Sequence, residues 1–142
     1  MSGTFANRSV PAATVIPELA YADVVEASDW LCKAFGFTVR LRIGSHRAQL
    51  VYGDGAIVVM ERGSRSVAPQ SVLVQVEDGD AHHDRAVASG ARILNPPADY
   101  PYGERQYTAE DIGGHRWPFS QSIADVDPAD WGGVLVEASG QQ

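Results

Sequence analysis

The stretch AEDIGGHRWPFSQ, residues 109–121, sets a Gly-Gly turn and a histidine ahead of an apolar run that a proline interrupts. An earlier stretch, GDGAIVVME at residues 53–61, has a similar build: glycines in a turn, then a strand-forming run ending on a polar residue. Placing Gly55 over Gly114 gives an offset of 59 residues. Elements that recur at a fixed spacing mark a duplicated supersecondary unit, so the segments before each stretch should recur as well.

They do. Gly36 in AFGFTV and Gly90 in ASGARI each close a helical run and open an extended one, 54 residues apart, and the same offset pairs Leu19 with Leu73. The extra five residues of the later offset fit the Pro/Tyr-rich segment 95–103. In the first half, 15–21 reads as a strand, with Pro17 demanding an edge or bulge. Asp23 caps a helix with Glu26 as its reciprocal partner, Ala27, Trp30, Leu31, Ala34 and Phe35 recur at helical spacing, and Gly36 ends it. Strands follow at 37–43, 47–53 and 56–62, the last two joined through Asp54-Gly55. After a linker at 63–69 the order repeats: a strand at 71–77, a helix at 80–89 capped by Asp80 and ended by Gly90, and a strand at 91–94. The loop 95–103 and strands at 105–110 and 116–121 complete the second half. The expectation is one α+β domain over 1–142, with βαβββ modules at 14–63 and 70–122, a flexible lead-in at 1–13 and a tail at 123–142.

Composition narrows the partners. A net charge of −7 and a pI near 4.9 leave no basic surface for nucleic acid or anionic membranes. Apolar runs such as AIVVM are far shorter than a membrane span, and the N-terminal residues lack the long apolar segment of a secretory signal. Cys32 is the single cysteine, so no internal disulfide forms, and its helical surroundings suit a structural thiol. A cytoplasmic protein without nucleic-acid or membrane partners is expected.

Alternation along strands sorts their faces. Leu19, Tyr21, Val58, Met60, Val72, Val74, Val76, Trp117 and Phe119 are expected to face the helices. The opposite face then carries Ile16, Glu18, Arg47, Gln49, Ile57, Val59, Glu61, Ser71, Leu73, Gln75, Arg116, Pro118 and Ser120. Such a mixed apolar and polar set suits a small-molecule cavity.

Two βαβββ modules, the helix ending AFGF, and the stretch YGERQYTAEDIGGHRWPFSQ resemble the vicinal oxygen chelate superfamily. It includes glyoxalase I, extradiol dioxygenases, fosfomycin-resistance transferases and bleomycin-resistance binding proteins. The resemblance covers about residues 14–122 and implies a curved mixed sheet around a cavity. Metal-dependent members take His or Glu ligands from the first and fourth strand of each module, which fall here on Ile16, Val59, Ser71 and Pro118. These side chains supply no such ligand. Glu18 and Glu61, two residues away, are the remaining carboxylates from which a metal site could be built.

Among other candidates, His82 and His83 are adjacent on a helix, point about 100° apart, and read as solvated. His115 reads as a turn residue bonded to loop backbone. Tyr100, Tyr102 and Tyr107 with Arg105 could close over a planar ligand, or could merely cover the sheet's open end. Trp131 could pack across a subunit boundary.

The resemblance therefore implies a metal-free, cofactor-free small-molecule-binding homodimer of the bleomycin-resistance type. Ile57, Val59 and Leu73 would form apolar walls, and Arg47, Gln49, Gln75 and Arg116 polar anchors. Two alternatives stand beside it: a glyoxalase- or dioxygenase-like metalloenzyme using Glu18 and Glu61, and an interaction module without a ligand.

Overall fold

A computed structural model describes residues 6–136. In order, the elements are β1 (Glu18–Tyr21), α1 (Val24–Phe35), β2 (Thr38–Ile43), β3 (Arg47–Tyr52), β4 (Gly55–Glu61), β5 (Val74–Gln75), α2 (Gly79–Ala88), β6 (Arg92–Tyr100), β7 (Glu104–Glu110) and β8 (Arg116–Ser122). A 3-10 turn, Pro128–Trp131, lies in the tail, whose residues 137–142 fall outside the described part, as do residues 1–5 of the lead-in. The strands form two mixed four-stranded sheets, β1-β4-β3-β2 and β5-β8-β7-β6, each with its first pair parallel and the others antiparallel. The βαβββ order thus occurs twice.

Local chemistry explains the helix ends. The Asp23 carboxylate accepts from the Glu26 amide at 3.0 Å, and Gly36, at φ 85°, donates its N–H to the Cys32 carbonyl. The second helix starts one residue earlier than expected: Asp78, not Asp80, is the cap and accepts from the Ala81 amide at 3.1 Å. Asp80 is left free to meet Arg105, so the capping role went to the carboxylate with the extended backbone.

Both helices and the inward faces of both sheets share one core. The Phe35 ring, at the end of α1, lies 4.8 Å from Phe119 and 5.6 Å from Trp117, both of the second sheet. Trp30 meets Phe35 edge-on at 5.0 Å.

The face assignment of β4 is reversed from the expected one. Leu19 pairs with Val59 and Glu18 with Val58, so Ile57 and Val59 join the core while Val58 and Met60 lie on the outer face. In the second sheet Val74 pairs with Phe119, so the structural match of Val59 is an inward aromatic and not Pro118. A slip of one residue exchanges the two faces of a strand. AIVVM is apolar at every position, so alternation could not choose the register.

Two strands differ in length. β5 shrinks to Val74–Gln75, with an isolated Ser71–Arg116 bridge before it. The expected loop at 95–103 is instead strand as far as Tyr100. β6 is an edge strand whose register shifts between Ile93 and Asn95 and between Asn95 and Ala98, so Pro96 and Pro97 withhold no donor that a neighbour needs.

Candidate functional site

The boundary between the modules is closed at one end by a buried polar cluster. Asp111 in the β7–β8 turn accepts from the Tyr21 hydroxyl at 2.5 Å, the Trp117 indole N–H at 2.9 Å, and the amides of Gly113 and His115 at 2.8 and 2.9 Å. Burial, then the charge and hydrogen bond of Asp111, push the Tyr21 phenol well above its ordinary value, so it remains a donor. His115 is buried and spans the modules: Nδ1 accepts from the Gln70 amide at 3.0 Å and Nε2–H donates to the Ala20 carbonyl at 3.0 Å. With both ring nitrogens bonded to backbone, this histidine is a structural tie, in keeping with its expected turn role.

At the other end the modules part. A cleft of about 940 Å³ runs between the segment before β1 (Val15, Pro17) and β5 with its flanks, residues 72–78. Phe37, Tyr52, Ile57 and Trp117 line it, together with Ala81, His82 and Arg85 of α2. Within its sheet β1 pairs only with β4, and β5 only with β8, so each strand presents an unpaired edge among the described residues.

The polar groups of the cleft are largely committed. His82, expected on a solvated surface, is instead half-buried beside Phe119, since helix α2 lays it against the core. Its Nδ1 accepts from the Tyr107 hydroxyl at 2.5 Å and its Nε2–H donates to the Phe35 carbonyl at 2.8 Å. Burial lowers the His82 pKa from its usual 6.5, which keeps the ring neutral, and burial raises Tyr107. Arg85 caps the end of α1, donating to the carbonyls of Lys33 at 2.8 Å and Cys32 at 3.0 Å. Asp54, Glu77 and Asp78 add carboxylates to the rim. Burial and then the Glu77 charge raise the Tyr52 pKa, with Arg85 opposing. The walls are apolar and aromatic, and the net charge at the rim is negative.

The structure distributes the residues singled out in the sequence over several places. Ile57, Leu73 and Gln75 line the cleft. Val59 is fully enclosed in the core. Glu18 and Arg47 form an ion pair at 2.8 Å on the outer face of the first sheet, where Gln49 is also held. Pro118 and Arg116 lie on the outer face of the second sheet, on the side of β8 opposite Trp117 and Phe119.

The tyrosine loop is no lid to the cleft. Tyr100 and Tyr102 stack on each other at 5.5 Å, Tyr102 meets Trp131 of the same chain, and Tyr107 is buried in the core. Arg105 is held by Asp80 at 3.0 Å and Asp99 at 2.8 Å. Sequence reading missed Phe37, Tyr52, His82 and Arg85 as cleft residues. Their only signal was an aromatic at each end of the β2–β3 hairpin, because the cleft is assembled from separate elements.

The donor set does not fit the metal that the resemblance brings to mind. Ile16, Ser71 and Pro118, with Val58 or Val59 in β4, provide no imidazole or carboxylate. Glu18 shares the face of Val58, whereas Glu61 pairs with Tyr21 on the opposite face, so the two carboxylates cannot converge. Among the described residues no three His, Cys, Asp or Glu side chains come together. No described helix is long and apolar enough to cross a membrane.

Comparison with known proteins agrees with this architecture. TioX from Micromonospora sp. ML1 is 38% identical and superposes with a TM-score of 0.70, over 79% of this chain and 100% of that one. TnmS3, an antibiotic binding protein from Streptomyces sp. CB03234, shares the fold at 20% identity and a TM-score of 0.65, over 80% of this chain and 98% of that one. So does a lactoylglutathione lyase from Agrobacterium tumefaciens, at 14% identity and 0.64, over 78% and 94%. The sequence profile of one family matches residues 14–119, and with it the chain belongs to the Glyoxalase/Bleomycin resistance protein/Dioxygenase superfamily.

Proposed function

We propose that the chain is a small-molecule-binding protein of the bleomycin-resistance type that encloses its ligand without metal or chemistry. The observation that carries this reading is the cleft: about 940 Å³ of space walled by Phe37, Tyr52, Ile57 and Trp117, a size and lining suited to a drug-sized aromatic molecule. His82 and Arg85, the basic groups that reach it, are spent on structural hydrogen bonds. The carboxylates of Asp54, Glu77 and Asp78 at the rim favour a ligand with a positive charge, and aromatic walls favour the same charge through their π faces. The likeness to TnmS3, an antibiotic binding protein, supports binding as the activity.

The functional unit in this reading is a cytoplasmic homodimer. The unpaired edges of β1 and β5 support self-association, since an exposed strand edge is a template for another chain. The two carboxylates of the metalloenzyme alternative lie on opposite faces, so no observation favours it.

The test is calorimetric titration of chelator-treated protein with proflavine, a planar aromatic cation. One molecule per chain is expected to bind at micromolar affinity. Binding that appears only after a divalent metal is added overturns the proposal.

A further inference from the structure

One tyrosine in the aromatic wall of the cleft carries a hydroxyl that the protein leaves unanswered. We propose that the Tyr52 hydroxyl reads the ligand, donating a hydrogen bond to a neutral carbonyl oxygen on its aromatic ring system. This inference rests on the cleft being the binding site, and it names the class of molecule taken there: aromatic ketones, lactones and amides.

Strand geometry puts the phenol in place. Side chains alternate along β3, so Tyr52 shares the inward face of Ala48 and Leu50, both enclosed in the core. It is the last residue of the strand, before the Gly53–Asp54 turn, so its half-buried ring leaves the core and enters the cleft wall. Two neighbours hold the ring: Phe37 lies 5.4 Å away, and His82 meets it edge-on at 6.3 Å. A third boundary is the end of α1. A Cβ on Gly36 would stand 3.5 Å from the Tyr52 ring and 3.3 Å from Arg85 Nη1, so the bare backbone of this cap lets ring and guanidinium close over it.

The hydroxyl differs from those of the other inward tyrosines. Tyr21 donates to Asp111 and Tyr107 to His82, whereas Tyr52 has no hydrogen-bond partner among the described residues. Burial and the Glu77 charge keep the phenol protonated, so it offers a donor. An aromatic ligand that covers the ring strips water from this group, which is costly unless the ligand supplies an acceptor. A site built this way discriminates against the analogue that lacks the acceptor.

The surrounding charges choose which acceptor fits. Glu77 and Arg85 act on Tyr52 with opposite sign. A ligand carboxylate at the hydroxyl would meet the charge of Glu77. An ammonium would meet that of Arg85, which is anchored through Nε and Nη2 on the Lys33 and Cys32 carbonyls. A neutral carbonyl meets neither penalty and accepts the O–H directly. His82 does not compete for it, because both of its ring nitrogens are engaged. A cationic group elsewhere on the same ligand remains matched by the carboxylates of the rim.

The experiment titrates the full chain with xanthone and with xanthene, which differ in one ring position, C=O in the first and CH2 in the second. Xanthone should bind about fivefold more tightly or better, the worth of one net hydrogen bond. Tyr52→Phe keeps the ring and loses the hydroxyl, so the ratio of the two affinities should fall below about twofold. Isotope-edited infrared spectroscopy gives a readout that needs no variant: the carbonyl stretch of bound xanthone should lie below its value in an aprotic solvent. Equal affinities for the two compounds, a ratio that survives Tyr52→Phe, or an unshifted carbonyl stretch would each overturn the proposal. Proflavine has no carbonyl, so its binding to the wild-type chain tests the cleft alone. Proflavine bound without discrimination between xanthone and xanthene overturns this inference and leaves the reading of the cleft intact, whereas absence of binding by all three overturns both.

Discussion

At one end of the module boundary, Asp111, His115, Tyr21 and Trp117 satisfy one another with short, complete hydrogen bonds. At the other end, Val15 and Pro17 face residues 72–78 across open space, above an aromatic floor. The difference lies in what each surface would lose by being filled or emptied. Buried polar groups are costly unless every partner is present, so the closed end fixes how the modules meet. An apolar surface is satisfied by any apolar occupant, so the open end is free to receive a ligand.

The strongest way to break this contrast is at the closed end. Asp111→Ala removes the acceptor for the buried Tyr21 and Trp117 donors, and should cost about 3–5 kcal/mol in a denaturant titration, because orphaned buried donors carry a full desolvation penalty. A loss under about 1 kcal/mol would mean the modules are held elsewhere.

At the open end the expected effect is on binding. Ala81 is exposed on α2 and lines the cleft, so Ala81→Trp should fill it and weaken proflavine binding by about 100-fold, equal to about 2.7 kcal/mol, with stability nearly unchanged. An undiminished affinity would place the ligand outside the cleft.

A smaller steric test returns to the closed end. A Cβ added at Gly113 would stand 2.6 Å from the Tyr21 ring, so Gly113→Ala should destabilise by about 1–3 kcal/mol without altering ligand affinity. Coupled losses in stability and affinity would show that the two ends are not independent.

The smallest effect is pH dependence through His82. Its folded-state pKa lies below the ordinary 6.5, so the unfolded chain takes up the proton first as pH falls. The stability contributed by the neutral, hydrogen-bonded ring is present above about pH 6.5 and is lost as pH drops toward the lower folded-state value. Melting temperature should therefore decline from roughly pH 7.5 to 5.5, and the decline should be shallower in His82→Phe. Parallel pH profiles in the two proteins would assign the decline to other groups.

Much of the fold was legible because its signals are local. Asp23 and Gly36 delimit α1, and the paired glycines Gly36 and Gly90 announce the repeat, each by backbone chemistry that short sequence determines. The register of β4 was hidden because AIVVM is apolar on both faces, and only pairing with β1 resolves it. The continuation of β6 beyond residue 94 was hidden because two prolines argue against a strand, and only its edge position and bulges make it possible. The cleft was the least legible part. Of its residues, Ile57, Leu73 and Gln75 were singled out in the sequence, Ile57 with the wrong face of β4, while Phe37, Tyr52 and His82 come from three separate segments that only the tertiary fold brings together. The closed end was half visible: His115 was correctly placed in a turn, but its bond to the Ala20 carbonyl belongs to the packing of one module on the other.

The most direct test of ligand enclosure at the open end is amide hydrogen exchange of the metal-free protein with and without saturating proflavine. Protection should be confined to residues 52–57 and 72–78, which line the cleft, while the Asp111 turn at 110–115 exchanges as before. Protection on strands β6 and β7, with residues 72–78 unchanged, would contradict it.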